Sequence, residues 1–286
     1  MGSLFKNVIS VLSSVASEVA KSETAKEIIS SVSNGNIDIA TGLKEALKVG
    51  IQTAAANLGK EDGFLADAAV RIGLPEEAST IFNAVQSLSQ NGTFNNILNA
   101  TGVSIPDSDT VITLFNRAAE NAAPKSVDIF ANAITGISIA DAEQILFGAD
   151  NAATHYLQDN TQVQLQNAFV PSITTSLGSV KIGNVTPLMA WDTFATYNNK
   201  LVELLDNSAV KKGLELARMT GLLKDEYFEK LKDIDLVNTN LSDYITGKAL
   251  DGLFLKVSEK EADIRHNASS RVSDVLQSVF GRLDNK

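Results

Sequence analysis

Three carboxylates and two arginines are the residues whose chemistry could be catalytic. Asp62 and Arg71 belong to GKEDGFLADAAVRIGL, the stretch Gly59–Leu74. Arg117 and Glu120 sit with Asn116 in LFNRAAENAAP, and Asp150 follows ILFGA and precedes Thr154, His155 and Tyr156. General acid–base work asks for a carboxylate with a perturbed pKa in a cleft, and an arginine beside it orients anionic groups. Asp62, Glu120 and Asp150 are therefore the candidate acids and bases, with Arg71 and Arg117 as anion-orienting groups. Asn116, Thr154, Tyr156, Tyr244 and Lys248 complete the candidate ligand-binding set.

A plainer reading stands beside this one. Arg117 and Glu120 are three apart and Asn116 and Glu120 four apart, so they are neighbours that can pair on a helix surface. Gly148 reads as a helix C-cap and Asp150 as the N-cap of the next helix. Glu261 and Arg265 have the favourable acid-before-base spacing of four, and Tyr244 and Lys248 flank a buried stripe on that same segment.

Other chemistries are missing from the chain. It has neither a phosphate-cradling Gly-rich loop nor a Gly-x-Ser-x-Gly elbow. Ser208 and Lys211 match Ser-x-x-Lys without the companion elements of that enzyme class. With no cysteine there is no thiolate nucleophile, and His155 and His266 alone do not make a zinc site. The oxygen-rich stretches Asp107–Asp109 and Asp233–Asp243 lack the glycine and terminal glutamate of a calcium loop and read as helix caps. No metal and no cofactor are expected.

The 286 residues, 44% hydrophobic but only 6% aromatic, favour helices packed through small side chains. A formal charge of −10 without any dense basic run argues against a nucleic-acid partner. No apolar span is long enough to cross a bilayer, so no transmembrane segment is expected. No signal peptide is visible, but Met1-Gly2-Ser3 reads as a non-native start, so this says little about targeting.

Positioning these residues falls to helices, since apolar residues recur at helical spacing almost throughout. Phe5, Val8, Leu12, Val15 and Val19 form one stripe, and Thr24 with Glu27 reads as a capping box. Leu241, Ile245, Ala249, Leu253 and Val257 form another. Pro75, Pro106, Pro124 and Pro187 stand where helices would begin, and Thr186-Pro187 is a good cap-plus-N1 pair. Pro171 is expected to kink or divide a helix. The fold expected is an all-α, compact, bundle-like array of about ten to thirteen helices of ordinary length, with little or no sheet. N-terminal amphipathic helices would fill residues 1–36, one all-α domain residues 37–281, and a short tail 282–286.

Many ordered pieces resemble a bacterial family catalogued as domain of unknown function 4197. They include GLKEAL at Gly42–Leu47, DGF at Asp62–Phe64, RIGLP at Arg71–Pro75 and NRAAE at Asn116–Glu120. AAT with Tyr156, Phe169 with Pro171, Trp191 and SDYITGKALDGLF at Ser242–Phe254 follow, and VFG at Val279–Gly281 ends the series. The resemblance implies a helical, extracytoplasmic protein whose relatives carry a signal or lipoprotein segment, and it supplies no catalytic residue. This chain lacks the lipoprotein cysteine. It also departs from the pattern at about residues 200–240, which read as an inserted helical hairpin.

The function expected is therefore a non-catalytic envelope or secreted protein that binds a hydrophobic small molecule or a partner protein. A carboxylate–arginine hydrolase and a self-associating structural protein, a homo-oligomer, are the alternatives.

Overall fold

Periodicity turns into helix along most of the chain in the computed structural model, which describes residues 38–76, 78–79, 82, 107–136, 138–139, 141–232, 234, 236–237 and 239–284. The stripe Phe5–Val19, the capping box at Thr24 and Glu27, and Pro106 lie outside the described residues. The helices are α1 (Ile39–Leu58), α2 (Ser108–Ala122), α3 (Ser126–Gly136), α4 (Ala142–Leu146) and α5 (Ala152–Ser179), followed by α6 (Pro187–Asp206), α7 (Ser208–Met219), α8 (Asp225–Lys232), α9 (Leu241–His266) and α10 (Asp274–Phe280). The fold is all-α; among the described residues extended pairing is confined to one isolated bridge, Ile182 with Val185. Eight of these helices reach eight residues or more. Among the described residues that is fewer than the about ten to thirteen expected from a mean helix of about 11–12 residues; α5 and α9 alone run to 28 and 26 residues. Among the described residues no helix is long and apolar enough to cross a membrane.

Pro171 does not divide α5, which runs through it. Proline removes the N–H that would bond to the carbonyl of residue 167. Asn167 is exposed, so water can serve that carbonyl. At the start of α6, Thr186 caps the helix by accepting from Met189 N, with Pro187 in the first turn, as the dipeptide suggested.

The chain divides into two compact units. The first comprises Met1–Ala54, Phe130–Gln162 and Lys256–Lys286, the second Ala55–Ile129 and Val163–Leu255. In the first, Leu43, Leu47 and Ile51 of α1 are buried at a spacing of four, together with Phe130, Leu157, Val279 and Phe280. In the second, the Trp191 ring lies 5.5 Å from Phe194 and 6.0 Å from Phe115, and Phe82 stacks on Phe194 at 4.7 Å. Gly252 of α9 lets the helix approach closely there. A Cβ at this position would stand 2.8 Å from the Phe64 ring and 3.2 Å from Val70 Cβ. The α9 stripe from Leu241 to Val257 is buried at all five positions, none more than 4% exposed.

The end of α9 shows how orphan carbonyls are served in the first unit. Buried Arg271 donates from Nε to Ile264 O and from Nη2 to Arg265 O, while both its Nη groups bond Asp284. Asp263 accepts from Lys260 Nζ, Asn267 Nδ2 and Ser270 Oγ. The hydrogen bond from Lys260 leads these in pulling its carboxyl from 3.8 down to about 2. A carboxylate depressed by folding contributes stability above its unfolded value and loses it as pH falls through the folded one. Unfolding free energy followed by denaturant titration from pH 4 to 2 is therefore expected to fall less steeply in Asp263→Asn than in the parent chain.

Candidate functional site

On α2, Asn116 and Glu120 are one turn apart and both buried, at 0% and 4% exposure. They are not the surface neighbours that their spacing alone suggests. Each reaches the irregular segment between α1 and Pro75. Glu120 Oε1 accepts from the backbone N–H groups of Phe64 and Leu65, at 3.1 and 3.2 Å. Asn116 pairs with Ile72 on both sides of its peptide unit. Its Oδ1 accepts from Ile72 N at 2.9 Å, and its Nδ2 donates to Ile72 O at 2.8 Å and to Ile112 O at 2.7 Å.

Arg117 completes the clamp. Its Nη1 donates to Glu120 Oε2 at 2.6 Å, its Nη2 to Asp62 Oδ1 at 2.8 Å, and Glu61 lies 3.5 Å away. The hydrogen bond to Glu120, ahead of that to Asp62, raises the guanidinium pKa above its ordinary value against the opposing effect of burial. Asp62 itself sits at φ 64°, a left-handed conformation that aspartate tolerates better than most residues. Tyr244 of α9 donates its hydroxyl to Gly73 O at 3.1 Å, and burial pushes its pKa up, so it stays a neutral donor.

The second unit thus brings Asp62, Asn116, Arg117, Glu120 and Tyr244 around one loop. Arg71 and Lys248 are exposed, and no side-chain hydrogen bond or ion pair engages them. Within it Glu120, Asn116 and Tyr244 reach backbone groups of Phe64, Leu65, Ile72 and Gly73, while Arg117 joins the carboxylates of Glu120 and Asp62.

Asp150, Thr154 and Tyr156 belong to the first unit, where Thr154 alone of the three takes part in a second clamp. Asp150 does not cap α5. Glu261 of α9 does, its carboxylate accepting from Ala153 N at 3.0 Å, Thr154 N at 2.7 Å and Thr154 Oγ1 at 2.6 Å. A buried carboxylate at a helix N-terminus meets both the unpaired N–H groups and the positive end of the dipole. Arg265 neutralises it at 2.7 Å and donates to Leu146 O and Ile145 O at the C-terminal end of α4. Asp150 pairs instead with His266 at 2.8 Å, both exposed. Tyr156 donates to Ser138 O. Gly148 is not left-handed; a Cβ there would stand 3.0 Å from Gln144 O, a tight approach.

A different region of the second unit leaves apolar side chains open. An open groove of about 500 Å³ in the second unit is lined by Val202 and Leu205 of α6, Leu214 of α7, Phe228 and Leu231 of α8, and Ile234. Its charged lining residues are Asp206, Lys211, Glu215 and Lys232. Lys211 bonds Asp206 at 2.6 Å and thereby depresses the aspartate pKa, while Lys232 bonds Glu229 at 2.8 Å. Arg218 and Lys232 both stand 4.8 Å from the centre of the Phe228 ring. None of the candidate residues from the sequence lines this groove. Sequence reasoning missed its lining because half-buried leucines and valines read as ordinary core. The available signal was the departure from the family pattern between Lys200 and Asn240. Among the described residues no three His, Asp or Glu side chains cluster as a metal site.

The family model described as "Protein of unknown function (DUF4197)" matches residues 33–281. No curated protein and no solved structure matches the chain.

Two variants separate scaffolding from chemistry. Glu261→Ala leaves Arg265 buried and unpaired, and urea denaturation is expected to show a loss of about 3–5 kcal/mol. Asn116→Ala strands the Ile72 N–H and C=O at about 1–3 kcal/mol each. Amide exchange in residues 59–75 should then rise while that of α5 stays as in the parent.

Proposed function

Because the chain belongs to the DUF4197 family, whose description names no activity, we propose its function from the geometry: a non-catalytic protein that binds an elongated apolar ligand in the groove between α6, α7 and α8. The observation that carries this reading is a contrast in how side chains are employed. Buried Asn116, Glu120, Thr154 and Glu261 are bound to backbone or to one another. The groove presents six apolar side chains to an open volume of about 500 Å³. Small-molecule sites are ordinarily concave, mostly apolar and about 300–1,000 Å³.

The charges at the groove suit a ligand with a polar end. Lys211 and Lys232 hold their carboxylate partners at exposed positions, where a competing anion can reach them. An acyl chain lying on Leu214, Phe228 and Leu231, with its carboxylate at one of these lysines, would use both features. The hydrolase reading loses support because Asp62 and Glu120 share Arg117, whereas Asp150 belongs to the other unit. The family resemblance adds an extracytoplasmic setting, which fractionation of the native host would test: recovery with cytosolic protein would refute it.

Binding of a fluorescent fatty acid tests the groove. Leu214→Arg is expected to weaken it by more than about tenfold, equivalent to about 1.4 kcal/mol, with unchanged circular dichroism. Undiminished binding in that variant, or no binding by the parent chain, would refute the assignment.

A further inference from the structure

The charges that line the groove are not equivalent. Asp206, Lys211 and Glu215 belong together. Lys211 bonds Asp206 at 2.6 Å, and Glu215 follows it by four residues on α7, one turn along the same face. One cation is thus set against two carboxylates, and all three line the groove. A ligand carboxylate arriving at Lys211 would be repelled by both.

Lys232, the last residue of α8, is placed differently. It bonds Glu229 at 2.8 Å, but Glu229 is not among the described residues that line the groove. Its ammonium stands 4.8 Å from the centre of the Phe228 ring, which lies one turn back on α8 and is part of the apolar lining. Arg218 stands at the same 4.8 Å from that ring, and its partner Asp225, at 3.6 Å, is also not among the described lining residues. The apolar surface of Phe228 therefore carries two cations, and neither of the carboxylates that answer them faces a ligand in the groove.

An acyl chain and its charged end ask for different surroundings. The chain gains by covering apolar surface, whereas the charge is costly to desolvate and does best paired at an edge that water still reaches. The Lys232 side chain is 55% exposed. A head group paired with it keeps contact with water while the chain covers Phe228 and Leu231.

We infer that Lys232 is the head-group determinant of the groove, taking the anionic end of an amphiphile whose chain covers Phe228 and Leu231, and that Lys211 is not. This role rests on the groove holding an amphiphile, as proposed above. It gives that ligand a direction and makes an acid a better ligand than a neutral amphiphile of the same length.

Displacement of the fluorescent fatty acid from the full chain by lauric acid and by dodecanol tests it, since the two share a chain length and differ in the charge of the head. The parent is expected to prefer lauric acid by about threefold to fivefold, the scale of an exposed ion pair. Lys232→Gln should bring lauric acid down to the affinity of dodecanol and leave dodecanol unchanged. Lys211→Gln with Asp206→Asn removes the other pair without changing net charge and should keep the preference. All three side chains are more than half exposed, so both variants should keep the parent circular dichroism. Equal affinity of the parent for acid and alcohol, a preference that survives Lys232→Gln, or one that is lost with Lys211 and Asp206 overturns the role of Lys232 and leaves the groove standing. Displacement by neither compound overturns both.

Discussion

A buried glutamate that accepts backbone N–H groups is the interaction on which the irregular parts of this protein depend. It occurs twice. Glu120 holds the segment after α1 through Phe64 and Leu65, and Glu261 holds the start of α5 through Ala153 and Thr154. A lone carboxylate in such a place would be costly to desolvate. Each is made tolerable in the same way, by an arginine three or four residues along its own helix together with N–H donors from the distant segment. The helix supplies the rigid spacing, and the carboxylate turns that rigidity into a fixed loop.

This arrangement engages the conspicuous polar residues within the fold. Asn116, Arg117 and Glu120 have the types and proximity of an acid–base site, yet their polar atoms are aimed at neighbouring backbone and carboxylates. The residues that line the groove are ordinary in type: leucines, a valine, a phenylalanine, an isoleucine and lysines on and beside α6, α7 and α8. Function on this fold is accordingly proposed where helices leave apolar surface open, away from the places where charges gather.

Much of the architecture was legible in the chain. The four-residue stripe of α9, the Thr186-Pro187 start of α6 and the within-turn proximity of Arg117 to Glu120 and of Glu261 to Arg265 all follow from local periodicity, whereas the burial of Glu120, Glu261 and Arg265 does not. So did the family, since its ordered motifs are short and contiguous. The candidate site was legible only in part. Nothing near Glu120 in sequence points to Phe64, 56 residues away, and nothing near Asp150 shows that Glu261 would take its place as the cap of α5. The run through Pro171 and the length of α5 and α9 likewise depend on what surrounds each helix.

The sequence by itself therefore determined that the protein is helical, which faces are apolar, and which side chains are neighbours within a turn, because helix geometry is local and repeats every 3.6 residues. Only the tertiary structure decided which buried donors meet which acceptors, and which half-buried leucines face a groove. Those pairings join segments remote in the chain, and each buried polar group must find its partner wherever folding brings one.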